Sequence, residues 1–380
     1  MRLLLVSTIA GTLEAFLLPF ARHFRALGWT VDAAANGISA SAECQQTFDH
    51  TWEVDWSRRP TDPRNVLQPV REVQHLVQRE DYDVVHVHTP VAAFITRYAL
   101  RRIRMRRGRP KVIYTAHGFH FYRGGRMLPN MVFLTLELLA GRWTDHLVVI
   151  NHEDEEAAKR YCIVPPGRVH YMPGIGVDTK RYSPDAVDEA AINRIRQELK
   201  LTGEDRLLVM VAEFNPGKRH RDAIHALRSL GRPNVHLAFA GTGPLLEPMK
   251  HMAETLGLAG KVHFLGFRKD IPALVRASVA TVLPSEREGL PRSVMESLCL
   301  GIPVIGSNIR GIRDLLTNGG GLLIGVGRPH ELAQAMAWVL EHPDEARLMG
   351  ERGRQHMTAY DIRNILALHE DLYRKALNEG

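Results

Sequence analysis

Apolar residues in this chain fall into short unbroken runs, separated by longer stretches where apolar and polar positions recur at helical spacing. Residues 3–6 are all apolar, the pattern of a strand buried on both faces. Gly11 reads as the end of the turn that follows. Leu13, Phe16, Leu17, Phe20, Phe24 and Leu27 then repeat with a helical period. Gly28 closes that helix, and residues 30–35 form the next run. Strand, helix and strand within the first 35 residues make a βαβ unit, which implies a parallel sheet.

The alternation continues. Strands are predicted at 83–88, 112–115 and 145–150, with helices at 92–106 and 132–141. Around 171–184 the sequence MPGIGVDTKRYSP is rich in glycine and proline and reads as a linker. A second series follows: strands at 207–212, 235–240, 262–265, 280–283, 304–306 and 321–324. Its helices run up to about Leu230, over 245–256 and 293–300, from Glu331 and Pro343, and over 361–377. The chain therefore reads as two doubly wound α/β domains, Rossmann-like in pattern. Ligands then belong at the carboxyl ends of the strands, in a central cleft that the two domains face.

Composition narrows the classes. The chain has 380 residues and a formal charge of +7, with 45% hydrophobic and 24% charged residues, as in ordinary globular proteins. That excludes disordered and collagenous chains. Three scattered cysteines (Cys44, Cys162, Cys299) argue against a disulfide framework and for a reducing compartment. No run of 18 apolar residues is free of charge, so no transmembrane helix is expected. The start, MRLLLVSTIA, has some signal-peptide character, but Glu14 interrupts it and strand-turn-helix is the better reading. A dinucleotide oxidoreductase is disfavoured, because the first turn carries the lone Gly11 and no G-x-G-x-x-G.

The densest chemistry lies at 284–300, PSEREGLPRSVMESLCL. It leaves a strand, turns at Gly-Leu-Pro and enters a helix, whose first amides make an anion site. Glu288 and Glu296 are too far apart for a tight dyad, roughly 10 Å along a helix axis at ~1.5 Å per residue. They suit two parts of one elongated ligand. The pair, written EGxPxxxxE after a strand of the second domain, resembles the retaining GT-B glycosyltransferases of family 4. AEFNPGKRH resembles their donor-phosphate loop, FAGTGPLLEPM their glycine turn and VHFLGFRKDIPALVRAS their base-contacting turn. TAHGFHFYRG matches the position of their active-site histidine. The stretches HVHTP and YTAHGFHFYRG resemble a bacterial subgroup that builds lipid-linked or exported polysaccharide, often from N-acetylhexosamine donors.

That resemblance implies roles. Glu296 would accept from ribose hydroxyls, and Glu288 would hold sugar hydroxyls. Amides near Gly289, Leu290 and Arg292 would meet the diphosphate, and Lys218, with Arg219, would neutralise its charge. Gly11, Gly241 and Gly243 would line the donor, Phe267 and Arg268 would flank the base, and His117 would contact the donor sugar or phosphate. Together His117, Lys218 and Glu288 form the catalytic set. Retention would proceed by front-face displacement, with no metal and no other cofactor. The sequence departs from the family pattern at Ala212-Glu213, where many members carry an arginine before the lysine loop. An inward-pointing acid there would repel a diphosphate.

Other features are weighed beside these. His86 and His88 share one strand face, and with His117 and His120 could in principle bind zinc; a polar lining is the preferred reading, with His88 and His120 as acceptor residues. Asp81-Tyr82-Asp83 is a D-x-D at the wrong strand end for a ligand, and reads as a solvated loop. Between Asp83 and Glu137 there are 53 residues without an acid and ten Lys+Arg, seven of them in RRIRMRRGRPK. Arg101, Arg102, Arg104, Arg106 and Arg107 would suit an anionic membrane surface or a diphosphate-linked lipid, and the apolar stretch 119–139 could enter the interface. Nucleic acid is the disfavoured rival.

The resulting expectation is an acceptor domain at 1–172, a linker at 173–187 with a hinge at Gly174–Gly176, a donor domain at 188–358 and a last helix, 359–380, returning to the first domain. The function expected is transfer of a hexose or N-acetylhexosamine from a nucleotide-sugar, UDP-linked, to a lipid-linked or polysaccharide acceptor. The site expected is cytoplasmic, at the inner face of the membrane. The alternatives are a nucleotide-sugar epimerase of the same architecture or a non-catalytic nucleotide-sugar-binding protein.

Overall fold

The computed structural model describes residues 1–57, 62, 65 and 67–379; the side chains of Arg104, Arg106 and Arg107, with the basic-surface reading attached to them, lie outside the described residues. Contacts divide the chain into two units, Met1–Ile175 with Asn364–Gly380, and Gly176–Arg363.

The first unit holds a sheet of β1 (Arg2–Ile9), β2 (Thr30–Asn36), β3 (Thr51–Glu53), β4 (Val84–His88), β5 (Lys111–Ala116), β6 (His146–Val149) and β7 (Val169–Tyr171), in the order β3-β2-β1-β4-β5-β6-β7. Every pairing is parallel: Leu3 lies opposite Val31 on one side and Val84 on the other. Helices cover both faces, so β1, β2 and β4 are buried along their length and show no polar alternation. The second unit holds β8 (Arg206–Val211), β9 (Val235–Ala240), β10 (Val262–Phe264), β11 (Ala280–Leu283), β12 (Val304–Ser307) and β13 (Gly321–Ile324), also parallel, in the order β10-β9-β8-β11-β12-β13. Strand order reverses between β1 and β4, and again between β8 and β11. Those are the switch points where ligands of such sheets bind. The α/β class read from the alternation is therefore the class observed.

Some expectations are corrected. Gly11 does not end a turn: β1 runs on to Ile9, the helix starts at Ala10, and Gly11 lies exposed in its first turn. A π-helical turn, Leu13–Leu17, then shifts the register before the helix resumes at Leu18–Ala26. That wider turn leaves Leu13 and Leu17 buried while Leu27, the last member of the apolar series, is exposed. The D-x-D precedes β4 as read, with Asp81 exposed, but it is not a solvated loop throughout: Asp83 accepts from the Arg2 amide at 2.9 Å, and the buried Tyr82 donates its hydroxyl to Asp32 at 2.6 Å, so both do structural work at the amino end of the sheet.

The last helix, Ile362–Asn378, belongs to the first unit from Asn364 onward. Ile365, Leu366, His369, Leu372, Tyr373 and Ala376 are its buried stripe. Phe20 meets His369 edge-on at 4.9 Å, and Phe24 meets Tyr373 at 5.0 Å. Just before this helix, the segments by which the chain enters and leaves the second unit are paired. The Val177 amide donates to the Tyr360 carbonyl at 2.9 Å, and the Ile362 amide to the Val177 carbonyl at 3.0 Å. Gly176 has φ +80°, and a Cβ there would stand 2.6 Å from Ile362 Cα, so the pairing needs glycine.

Candidate functional site

In the second unit the motifs at 213–220 and 284–300 converge on the carboxyl ends of β8 and β11. After β8 the chain makes a 3₁₀ turn, Pro216–Lys218, capped by Asn215, whose side chain accepts from the Lys218 amide at 3.2 Å. The turn closes with Arg219 at φ +56°, and the helix His220–Leu230 begins there. This geometry delivers Lys218 to Glu288: Nζ donates to Oε1 at 2.6 Å, across 70 residues of sequence. The Glu286 amide also donates to the Gly217 carbonyl at 2.8 Å, which ties the two loops together. Arg219 is engaged elsewhere, forked onto Asp222 at 2.5 and 3.2 Å. Glu213, the departure from the family pattern, is exposed, and its carboxylate accepts from Asn215 at 3.0 Å. It therefore buttresses the cap of the lysine turn.

Two glycines build the floor. A Cβ on Gly241 would stand 2.0 Å from the Ala212 carbonyl oxygen, and one on Gly243 2.6 Å from that of Phe214. Only glycine lets the turn after β9 lie against the strand that leads into the lysine loop.

The EGLPRSVME segment opens the helix Arg292–Cys299. Among the described residues, the amides of Gly289 and Leu290 donate to no group. Unengaged amides beside a helix start favour an anion. Glu296 is buried and pairs with Arg292 at 2.8 Å. Burial pushes its carboxyl above the usual range, against the opposing pull of Arg292 and of the Tyr182 hydroxyl that bonds it. Glu288 and Glu296 thus have separate partners, as their spacing implied. Phe267 is 75% exposed beside the turn at Gly266. Arg268 does not join the Lys218 cluster: it is forked onto Glu198 at 2.6 and 2.9 Å and also held by Asp270, which drives its pKa upward.

Besides Tyr182, sequence reasoning missed four positions here. Arg310 is buried and its Nε donates to the Glu288 carbonyl at 3.4 Å. Gly311 follows at φ +75°, where a Cβ would stand 2.0 Å from the Gly289 carbonyl oxygen. Both brace the Glu288 loop from the end of β12, and the Arg-Gly pair after that strand was the available signal. Ser285 and Ser307 are fully buried at the ends of β11 and β12, and among the described residues their hydroxyls have no partner. Each was hidden in a short polar run.

In the first unit, β4 and β5 bring His86, His88 and His117 together. His88 Nδ1 and His117 Nε2 are 3.0 Å apart, and the His86 ring lies tilted against His88 at 4.2 Å. His86 is anchored through Nδ1 to the Tyr373 hydroxyl at 2.5 Å and through Nε2 to Thr115 at 2.7 Å. The fourth member is His369, 5.7 Å from His86, and not His120, whose ring lies against Phe133 at 5.1 Å. Burial pushes His117 and His369 down to about 4, and His86 and His88 well below the ordinary value. All four rings are therefore neutral at pH 7. Among the described residues, no cluster of three or more His, Cys, Asp or Glu is placed to hold a metal ion.

Arg101 lies over the Tyr98 ring at 3.5 Å and Arg102 is exposed. The helix Met127–Gly141 presents large apolar residues to solvent, with Met127 at 78% and Leu128 at 71% exposure. Among the described residues, no helix is long and apolar enough to cross a membrane.

A lysine-carboxylate contact beside unengaged amides thus lies at the switch point of the second of the two parallel sheets. Similarity to known proteins places the chain in a family. Residues 13–181 match the profile of Glycosyltransferase Family 4, and residues 191–356 that of Glycosyl transferases group 1. A putative glycosyltransferase of Bacillus subtilis, EpsD, is 33% identical over 98% of this chain and 96% of its own length. The chain belongs to this glycosyltransferase family, and its fold is GT-B. An Escherichia coli UDP-Gal:α-D-GlcNAc-diphosphoundecaprenol α-1,3-galactosyltransferase is 30% identical over 72% of this chain and 73% of its own. Among solved structures, Anabaena HepE in complex with UDP and glucose superposes with a TM-score of 0.81 at 20% identity, over 99% of this chain and 100% of that one.

Proposed function

We propose that this chain is a retaining, metal-independent glycosyltransferase that moves a hexosyl or N-acetylhexosaminyl group from a UDP-sugar to a lipid-linked or polysaccharide acceptor in cell-surface glycan synthesis. The observation that carries the reading is the 2.6 Å contact of Lys218 with Glu288, beside the unengaged amides of Gly289 and Leu290. The names of the E. coli relative and of the HepE complex support UDP and a diphospholipid acceptor.

In this reading the diphosphate lies on the two amides and the start of the helix at Arg292, and Lys218 neutralises the charge that develops as it leaves. Arg219, forked onto Asp222 of its own helix and not onto the Glu288 loop, is the lesser contributor. Glu288 orients sugar hydroxyls, Glu296 the ribose, and His117 contacts the transferred sugar. The acceptor oxygen bonds to the anomeric carbon on the face the diphosphate leaves. The carbon–phosphate-oxygen bond breaks, and the acceptor proton passes to that phosphate oxygen. No protein nucleophile and no metal take part.

The acceptor reading extends to peripheral attachment at the inner face of the membrane. Its support is the exposed apolar side of Met127–Gly141, flanked by Arg123, Arg126 and Arg142, in a region without acids up to Glu137.

The first test is thermal unfolding with UDP, GDP, ADP and their sugars, with Mg²⁺ or with a chelator, followed by transfer to lipid extracts. A ligand at 100 times its dissociation constant stabilises by about 2.7 kcal/mol. UDP compounds are expected to stabilise equally in chelator. Stabilisation by another base alone, or only with Mg²⁺, overturns the donor or the metal assignment. Conversion of a UDP-sugar to its epimer without acceptor overturns transfer. Co-sedimentation with anionic but not neutral vesicles tests the membrane reading.

A further inference from the structure

The histidine cluster of the first unit contains one buried nitrogen that no described residue satisfies. His88 is 1% exposed, and among the described residues its Nε2 has no hydrogen-bond partner. Its other nitrogen, Nδ1, lies 3.0 Å from His117 Nε2. One of these two nitrogens must carry the proton that joins them, and the orphan decides which. If His88 were protonated on Nε2, it would bury an N–H with no acceptor, the rarer and costlier kind of orphan. Protonated on Nδ1, it leaves only a lone pair unmet, and Nδ1–H points at His117. His117 Nε2 then accepts, and the His117 proton sits on Nδ1. That atom has no partner among the described residues, and His117 is the half-buried member of the set.

The surroundings keep this arrangement in place. His88 ends β4, in register with Thr115 of β5. His86 packs on the His88 ring at 4.2 Å and is itself pinned at both nitrogens by Tyr373 and Thr115. Phe16 stacks on His117 at 6.5 Å. The groups that act electrostatically on His88 are His86, His117 and His369; on His117, His369. Among the described residues no carboxylate bonds either ring, as one commonly does for a working histidine. His88 occupies the place a carboxylate would take.

We propose that His88 is a positioning residue for His117: its Nδ1–H bonds His117 Nε2 and so presents His117 Nδ1–H as a hydrogen-bond donor to an oxygen of the transferred sugar. The last clause rests on the transferase reading; the tautomer does not.

The test uses the full chain labelled with ¹⁵N-histidine. Long-range ¹⁵N–¹H correlation at pH 7, with His117 assigned by its loss in H117Q, is expected to show His117 protonated on Nδ1. In H88L that ring should populate the Nε2–H tautomer. H88N, whose amide nitrogen falls near the imidazole Nδ1, should restore the Nδ1–H form, whereas the longer H88Q should not. In transfer assays H88L is expected to lose about 10- to 100-fold in kcat, the size expected when a contacting group leaves its geometry, with KM for the UDP-sugar within about twofold. H88N should recover most of that rate. An Nε2–H tautomer in the wild type, or H88N as slow as H88L, overturns the proposal. The expected spectra without any transfer by the wild type would leave the tautomer assignment standing and sink the transferase reading.

Discussion

Replacing Tyr373 by phenylalanine removes one oxygen from a site that water does not reach. Tyr373 is fully buried, its hydroxyl lies 2.5 Å from His86 Nδ1, and His86 is itself fully buried. The ring keeps its packing against Phe24 and Trp29, so little apolar contact is lost. What changes is that Nδ1 loses its partner in a dry setting. A buried polar group left unmet costs about 1–3 kcal/mol, and the middle of that range, about 2 kcal/mol, is the expected loss. For a unit of this size, 1 kcal/mol moves the midpoint by roughly 2–4 °C, so a fall of roughly 4–8 °C follows. Tryptophan fluorescence is the natural probe, because four of the five tryptophans (Trp29, Trp52, Trp56, Trp143) belong to the first unit. Trp29 is 5.9 Å from the Tyr373 ring. Urea titration of Y373F, H86L and the double variant separates the bond from the packing, and a coupling of about 1 kcal/mol is expected between the two sites. A Y373F loss below about 0.5 kcal/mol, or no coupling, would refute the claim that this hydroxyl satisfies His86.

Further outcomes follow from other sites. Arg363, then Thr179, hold the Asp361 carboxyl at about 2 instead of 3.8. A depressed folded value stabilises above pH 4 and is lost as pH falls toward 2. Because Arg363 is 58% exposed, the gain is discounted to about 1–2 kcal/mol, and the urea midpoints of D361N and wild type should differ at pH 7 and converge near pH 2. G243A should cost at least about 2 kcal/mol, since its Cβ would meet Phe214 backbone at 2.6 Å, whereas G257A, with nothing within 4 Å, should cost about 1; equal melting losses would contradict the close-approach argument. K218A is expected to fold normally and lose about 10²–10³ in kcat/KM for the UDP-sugar, and retention within tenfold would remove Lys218 from the site.

Much of the architecture was legible because a strand covered on both faces leaves an unbroken apolar run, and 235–240, 280–283 and 321–324 coincide with β9, β11 and β13. The edge strands β3 and β7 escaped because three residues each, with Trp52 and His170 among them, carry no run to detect. Periodicity could not register the π-helical turn at Leu13–Leu17, which leaves the apolar spacing locally intact. Lys218 and Glu288, which meet in the structure, were both singled out because motifs of the resembled family mark them. Tyr182, Arg310 and Gly311 were not, because their value lies in contacts with Glu296, Glu288 and Gly289 far away in the chain. The zinc possibility grouped His120 with the strand histidines by sequence proximity. Folding put His369 there, from a helix more than 240 residues further on, where its place on the Ile365–Leu372 stripe was the available clue.

The discontinuity of the first unit sets an order for its completion during synthesis. Its first segment ends at Ile175, but the helix that caps it begins its contribution at Asn364, after the whole of the second unit has emerged. At about 5–20 residues per second, the intervening stretch takes roughly 10–40 s. Throughout that interval the nascent first sheet waits with Phe20 and Phe24 uncovered and His86 lacking the Tyr373 hydroxyl. The second unit, continuous in sequence, can close while the first is still open. The part of the chain made first is thus finished last, and a ribosome that stops short of residue 364 releases a second unit able to fold beside a first unit with an exposed apolar face.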